Sequence, residues 1–216
     1  MHGTIEAEEF SIRTRRAISL AWSIFMRKVG NNLLPINKEA SMQLQYAYIL
    51  KQLLPLIIFN KDERIEIELE TGVNIVNGTK EIDLLLKGES CKGQHNIAVE
   101  MKCYKTYAAS GGLRGATDIF MKDVYEDLRL LEAYITNGYA NEGVLLVMND
   151  LERLVNPKKK DAKCWDYDIS QGTQVRNVHL TTPIGGKEIS IKLKRSYAFQ
   201  WERHGGYWFM ELEGMA

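Results

Sequence analysis

The sequence is poor in the residues that mark several common catalytic classes. Its three cysteines, Cys91, Cys103 and Cys164, form no CxxC pair. That argues against zinc ribbons and thioredoxin-type chemistry. Their odd number, spread over interior-like and loop positions, predicts reduced thiols and a cytoplasmic setting. Four scattered histidines form no HExxH and no pair suited to histidine-based hydrolysis. No apolar run is long enough to cross a bilayer, and the first residues carry no signal-peptide core, so no membrane partner is expected. Charge of neither sign is in excess, because 28 basic residues balance 28 acidic ones. Net charge therefore does not advertise a nucleic-acid partner, which would need a clustered basic face. Internal repeats and low-complexity segments are also missing.

Apolar material is ample: 45% of the 216 residues are hydrophobic, which predicts one domain with a packed core. Residues 5–29 predict a helix whose stripe includes Ile12, Leu20, Ile24 and Phe25, ended by Gly30. Arg13, Arg15 and Arg16 on it read as a solvated face in preference to a phosphate contact. A second helix is predicted over residues 37–54, with Asn37 as N-cap and Pro55 as its stop. Leu44, Tyr48 and Leu54 mark its apolar face, and Glu39 and Gln43 lie one turn apart on the same side. Residues 64–76 alternate Ile65, Ile67 and Leu69 with Glu66, Glu68 and Glu70, the pattern of a strand with one wet face. Glu70 is a lesser candidate for reaching a metal.

The centre of the chain is residues 80–102, KEIDLLLKGESCKGQHNIAVEMK. Two strand-like runs, 81–87 and 96–103, flank a polar, glycine-containing hairpin connection at 88–95. Side chains alternate along a strand, so Ala98, Glu100 and Lys102 face one way and Val99, Met101 and Cys103 the other. Asp83 sits among Ile82, Leu84, Leu85 and Leu86, where a lone carboxylate needs a partner. Two carboxylates and one lysine thus converge from adjacent strands. Such a cluster is costly unless an ion or an anionic substrate completes it.

A glycine-containing loop follows at residues 104–117, with Tyr104, Lys105, Tyr107 and Arg114 as candidate substrate contacts. Phe120, Val124, Leu128, Leu131 and Ile135 mark the buried stripe of a third helix, stopped by Asn137-Gly138. Residues 143–148 are a continuous apolar run, the form of a central strand buried on both faces. Strand, helix and buried strand make a right-handed crossover with parallel strands. Beyond Lys158-Lys159-Lys160, residues 189–201 and 207–212 predict a final hairpin around His204-Gly205-Gly206, its aromatics filling core.

The order helix, three strands, helix, strand, with Asp83 and then Glu100-Met101-Lys102 on adjacent strands, resembles the PD-(D/E)XK nuclease superfamily. That is the fold of many type II restriction endonucleases. The likeness covers residues 37–150, and Ile82 stands where the family name has proline. It implies an α/β chain with an αβββαβ core around a mixed sheet. Residues 1–36 would add an N-terminal helix, and residues 151–216 a β-rich extension for recognition or dimer contact. It further implies a magnesium-dependent endonuclease cutting DNA as a homodimer, with manganese able to substitute. In that pattern Asp83, Glu100 and the Met101 carbonyl hold the metal, and Glu39 supplies an extra acid directly or through water. Lys102 orients or activates the attacking water, while Arg114, Lys105 and Lys122 position phosphates.

Hard carboxylate oxygens suit magnesium, which neutralises charge building on the phosphate and acidifies water. Other readings of the same residues stay open. Asp83 capping a hairpin, with Glu100 and Lys102 as a same-face ion pair, requires no chemistry. A nuclease of repair, RNA or phage defence, and a non-catalytic nucleic-acid-binding protein, fit the same core.

Overall fold

The apolar runs fold onto the two faces of a single mixed sheet. The computed structural model describes residues 9–215 apart from 77 and 109, so the first turn predicted for the N-terminal helix lies outside the described residues. Helix α1 spans Phe10–Gly30 and α2 spans Glu39–Leu53, followed by a 3-10 turn at Leu54–Ile57. Strands β1 (Arg64–Ile75), β2 (Gly78–Ser90) and β3 (Gly93–Tyr104) form an antiparallel meander. Helix α3 (Thr117–Thr136) then crosses over to β4 (Glu142–Asn149), which runs parallel to β3. This is the predicted α/β core with a mixed central sheet flanked by helices.

A short α4 (Glu152–Val155) opens the C-terminal region. Two small ribbons follow, β5 (Gln174–Arg176) with β8 (Ser196–Ala198) and β6 (His179–Leu180) with β7 (Ile191–Lys192). The last hairpin joins β9 (Glu202–His204) to β10 (Tyr207–Glu213) across Gly205-Gly206. Strand β10 pairs with β4, so the sheet order is β1-β2-β3-β4-β10-β9. The region after residue 150 thus continues the central sheet. Among the described residues no helix is long and apolar enough to cross a membrane.

Strand alternation sorts the core. Leu84, Leu86, Val99, Met101, Cys103, Leu146 and Met148 face α1 and α2. Ile82, Leu85, Ala98, Leu145, Val147 and Met210 face α3 and the C-terminal ribbons. Two expected helix faces are corrected. In α2 the predicted Leu44 and Tyr48 are 62% and 63% exposed, and Met42, Gln43, Tyr46, Ala47 and Leu50 are buried. The helix is rotated because Glu39 and Gln43 both bind the sheet, through the Cys103 N–H and the Asp83 carbonyl. In α1 Ile12 is exposed and Arg13, expected on a solvated face, is buried.

Arg13 is held by partners far along the chain. Its guanidinium donates to the Ile57 carbonyl (2.9 Å) and meets Glu63 at 2.5 Å. Glu63 also accepts from the Phe59 and Asn60 amides and the Asn60 side chain. Burial alone would raise the Glu63 carboxyl, but Arg13 and these donors hold it down at about 2, from an ordinary 4.5. Removing one partner of such a pair strands the other charge. Glu63→Ala is therefore expected to cost roughly 3–5 kcal/mol in a urea unfolding experiment. Because the folded pKa is depressed, this contribution is full above the ordinary value of 4.5 and fades as pH falls toward 2.

Candidate active site

The site arises where β2 leaves β3. Their pairing runs from Ser90↔Gly93 to Leu84↔Val99 and ends there. Strand β2 goes on beside β1, whose Glu70 bends the chain at φ 52°, and the pairing skips the Glu70–Asp83 position. Ile82 turns to the α3 face while Leu84 stays on the other. From Glu100 onward, the side of β3 that faced β2 therefore lacks a strand partner, and such a row of open amides must be satisfied otherwise.

Carboxylates fill the fork. Asp83 Oδ2 accepts the Met101 N–H at 2.7 Å, and Glu39 Oε2, from the first turn of α2, accepts the Cys103 N–H at 3.1 Å. The Asp83 carbonyl takes the Gln43 side chain at 2.7 Å. In an extended strand the N–H and C=O of one residue point to the same side. The Met101 carbonyl therefore opens toward the same gap as Asp83.

Glu100 and Lys102 project toward α3, as alternation predicts. Glu100 is 4% exposed and its Oε1 has no hydrogen-bond partner. The Tyr134 hydroxyl lies alongside it and donates to the Glu81 carbonyl at 3.3 Å. Lys102 Nζ does not pair with Glu100 or Asp83. It lies 3.4 Å from Glu39 Oε1 and 3.2 Å from Asp127 Oδ2. Asp127, on α3, is 6% exposed, and that oxygen makes the ion pair but no directed hydrogen bond.

The charge state of the cluster follows from this geometry. Burial first, then the carboxylates of Asp83 and Asp127, push Glu100 well above the usual carboxylate range. Burial also raises Asp83, against the pull of the Met101 amide. It raises Asp127 too, against the pull of Lys102. Burial alone would lower the Lys102 ammonium, yet Asp127 and Glu39 outweigh it and raise the lysine. Burial and Glu39 push the Cys103 thiol up to about 12, so it is neutral and a poor nucleophile at neutral pH.

The structure brings Asp83, Glu100, Lys102, Glu39 and the Met101 backbone together. The three expected phosphate contacts have partners of their own. Lys105 is engaged by Asp150 at 3.4 Å and by the Tyr207 hydroxyl at 2.9 Å. Arg114 is half-buried, and its carbonyl accepts the Tyr104 hydroxyl. Lys122 pairs with Asp123 and lines a cavity of about 430 Å³ between α3 and residues 184–191. It points about 140° around the helix from Asp127. Glu70 is exposed on β1.

Asp127 and Tyr134 are the residues that motif reasoning misses. Asp127 had a signal, because it falls at the i+3 place of the stripe Val124, Leu128, Leu131, where an apolar residue belongs. Tyr134 had none, since an aromatic on a buried face reads as core.

Among the described residues no three histidine, cysteine or carboxylate side chains are grouped as a metal cage. The donors available are two carboxylates and a main-chain carbonyl, all hard oxygens. Magnesium is usually held by one or two carboxylates and keeps several waters, so these residues fit it. The partnerless oxygen of Glu100 is the atom such an ion would satisfy.

The raised pKa of Glu100 has a sign that can be measured. Folding draws a proton onto this carboxyl, so its cost appears as pH rises above the ordinary carboxylate range and is complete above the raised folded value. Glu100→Gln is expected to stabilise the protein at pH 8 by on the order of 1–3 kcal/mol without divalent cations. The gain should shrink as pH is lowered toward 5, and chemical denaturation at both pH values checks it.

Comparison of the chain with protein-family models, with curated proteins and with solved structures returns no match, so the reading of the fork rests on its own geometry.

Proposed function

We propose that the chain is a magnesium-dependent endonuclease of the PD-(D/E)XK type that hydrolyses DNA phosphodiester bonds. Its finer reading is a type II restriction enzyme acting as a homodimer, since cutting both strands with one site per chain calls for two symmetric copies. One observation carries the proposal: Asp83 and Glu100 share a strand fork in which neither has a cation of its own among the described residues, although Lys102 is adjacent. A buried carboxylate and a half-buried one left in that state favour a divalent ion.

Asp83, Glu100 and the Met101 carbonyl would hold the ion. Once bound, it supplies Lewis acidity toward a phosphate oxygen and toward water. The chain's own residues do the rest. Lys102, kept as an ammonium by Glu39 and Asp127, donates hydrogen bonds to a phosphate oxygen or to the attacking water. It has no free electron pair in that state, so it orients water and stabilises charge instead of removing a proton. The buried Tyr134 side chain beside Glu100 limits water behind that carboxylate. Glu39, with both oxygens engaged, becomes a ligand only by giving up the Cys103 amide or Lys102.

The test is cleavage of mixed plasmid and phage DNA with magnesium, followed by end-sequencing of the fragments. Asp83→Asn, Glu100→Gln and Lys102→Met should each lower cleavage by roughly 100-fold or more while unfolding cooperatively like the parent chain. Cleavage at the parent rate by any of the three removes the fork from the chemistry.

A further inference from the structure

Lys102 is in an unexpected place. Glu100 and Lys102 are two residues apart on one face of β3, so their Cα atoms are about 6.6 Å apart and the flexible lysine reaches back to Glu100 easily. Pairing there would also serve Asp83. The ammonium instead sits between Asp127 Oδ2 at 3.2 Å and Glu39 Oε1 at 3.4 Å. The helix that carries Asp127 is anchored on its C-terminal side by two contacts. Tyr134 ties α3 to the Glu81 carbonyl. Glu132 accepts the Lys194 and Arg195 amides and the Tyr197 hydroxyl. A buried carboxylate held in place this way demands a counter-ion, and among the described residues Lys102 supplies it.

We propose, resting on the metal-nuclease reading above, that Asp127 is a positioning residue that draws Lys102 away from Asp83 and Glu100. The two carboxylates stay open for a divalent cation because their natural internal counter-ion is held elsewhere. Without the Asp127 charge, the ammonium swings onto Glu100 and competes with the metal.

A double-mutant cycle read by calorimetric titration with manganese chloride alone separates this from a simple loss of negative charge. The full chain, Asp127→Asn, Lys102→Met and the double variant are compared at one pH. Asp127→Asn should weaken manganese binding by about tenfold or more, as loss of an outer-shell partner does. In the Lys102→Met background, where no ammonium can intrude, the same change should alter affinity by no more than about twofold. An equal loss in both backgrounds, or no loss in Asp127→Asn, overturns the proposal while leaving the metal site intact. A parent chain that takes up no manganese overturns the metal reading itself and this inference with it. If circular dichroism finds Asp127→Asn unfolded, Asp127→Ser carries the same cycle.

Discussion

Four carboxylates meet one ammonium, Lys102, in a strand fork where Glu100 and Asp127 are buried and Glu39 and Asp83 half-buried. That imbalance is the constraint on which the rest of the site depends. Interior charge is tolerated only when it is paired, protonated or coordinated. The fork uses the first two remedies in part. Lys102 is shared between Glu39 and Asp127, amides of β3 solvate Asp83 and Glu39, and Glu100 is driven toward its neutral form. A packed core designed for stability alone would place apolar side chains here. Sites that retain destabilising charge commonly trade stability for activity.

The imbalance is possible because the sheet is interrupted in one place and continuous elsewhere. Strand β3 pairs with β4 without interruption from Ile97↔Glu142 to Tyr104↔Asn149, and β4 pairs with β10. Only the β2 side opens. Had β2 continued in register, Asp83 would face Glu100 across a ladder, and the Met101 and Cys103 amides would be spent on backbone carbonyls. The positive φ at Glu70 and the side-chain cap from Asp83 let β2 leave without orphaned amides. The Asp83 carboxylate is therefore both a structural cap and a candidate ligand. One of its oxygens takes the amide, and a carboxylate has lone pairs to spare. The hairpin-cap reading and the metal reading of this residue are compatible.

Much of the core was legible because strand patterns are local. Alternation along 96–103 placed Glu100 and Lys102 on one face, and the apolar run at 143–148 announced a strand buried on both faces. What failed depended on partners distant in the chain. Arg13 looks solvated until Glu63, fifty positions away, supplies a buried carboxylate. The buried side of α2 is selected by two polar residues that grip the sheet, so counting leucines misplaced it. Lys102 was expected to converge with Asp83 and Glu100, and the carboxylate that changes its partner lies on a later helix.

The C-terminal region bears on the site through α3. Glu132 is buried and acts as an anchor for the turn at Lys194 and Arg195, while Tyr125 packs against Tyr167 and Phe199 and donates to the Asp168 carbonyl. These contacts set the rotation of the helix about its axis. Rotation decides which side chain meets Lys102, because neighbouring positions differ by about 100°. A turn of that size would present Glu126 or Leu128 in place of Asp127. The segment after residue 150 therefore shapes the charge pattern of the fork without entering it, and the core of residues 37–150 contains the candidate ligands but not everything that orients them.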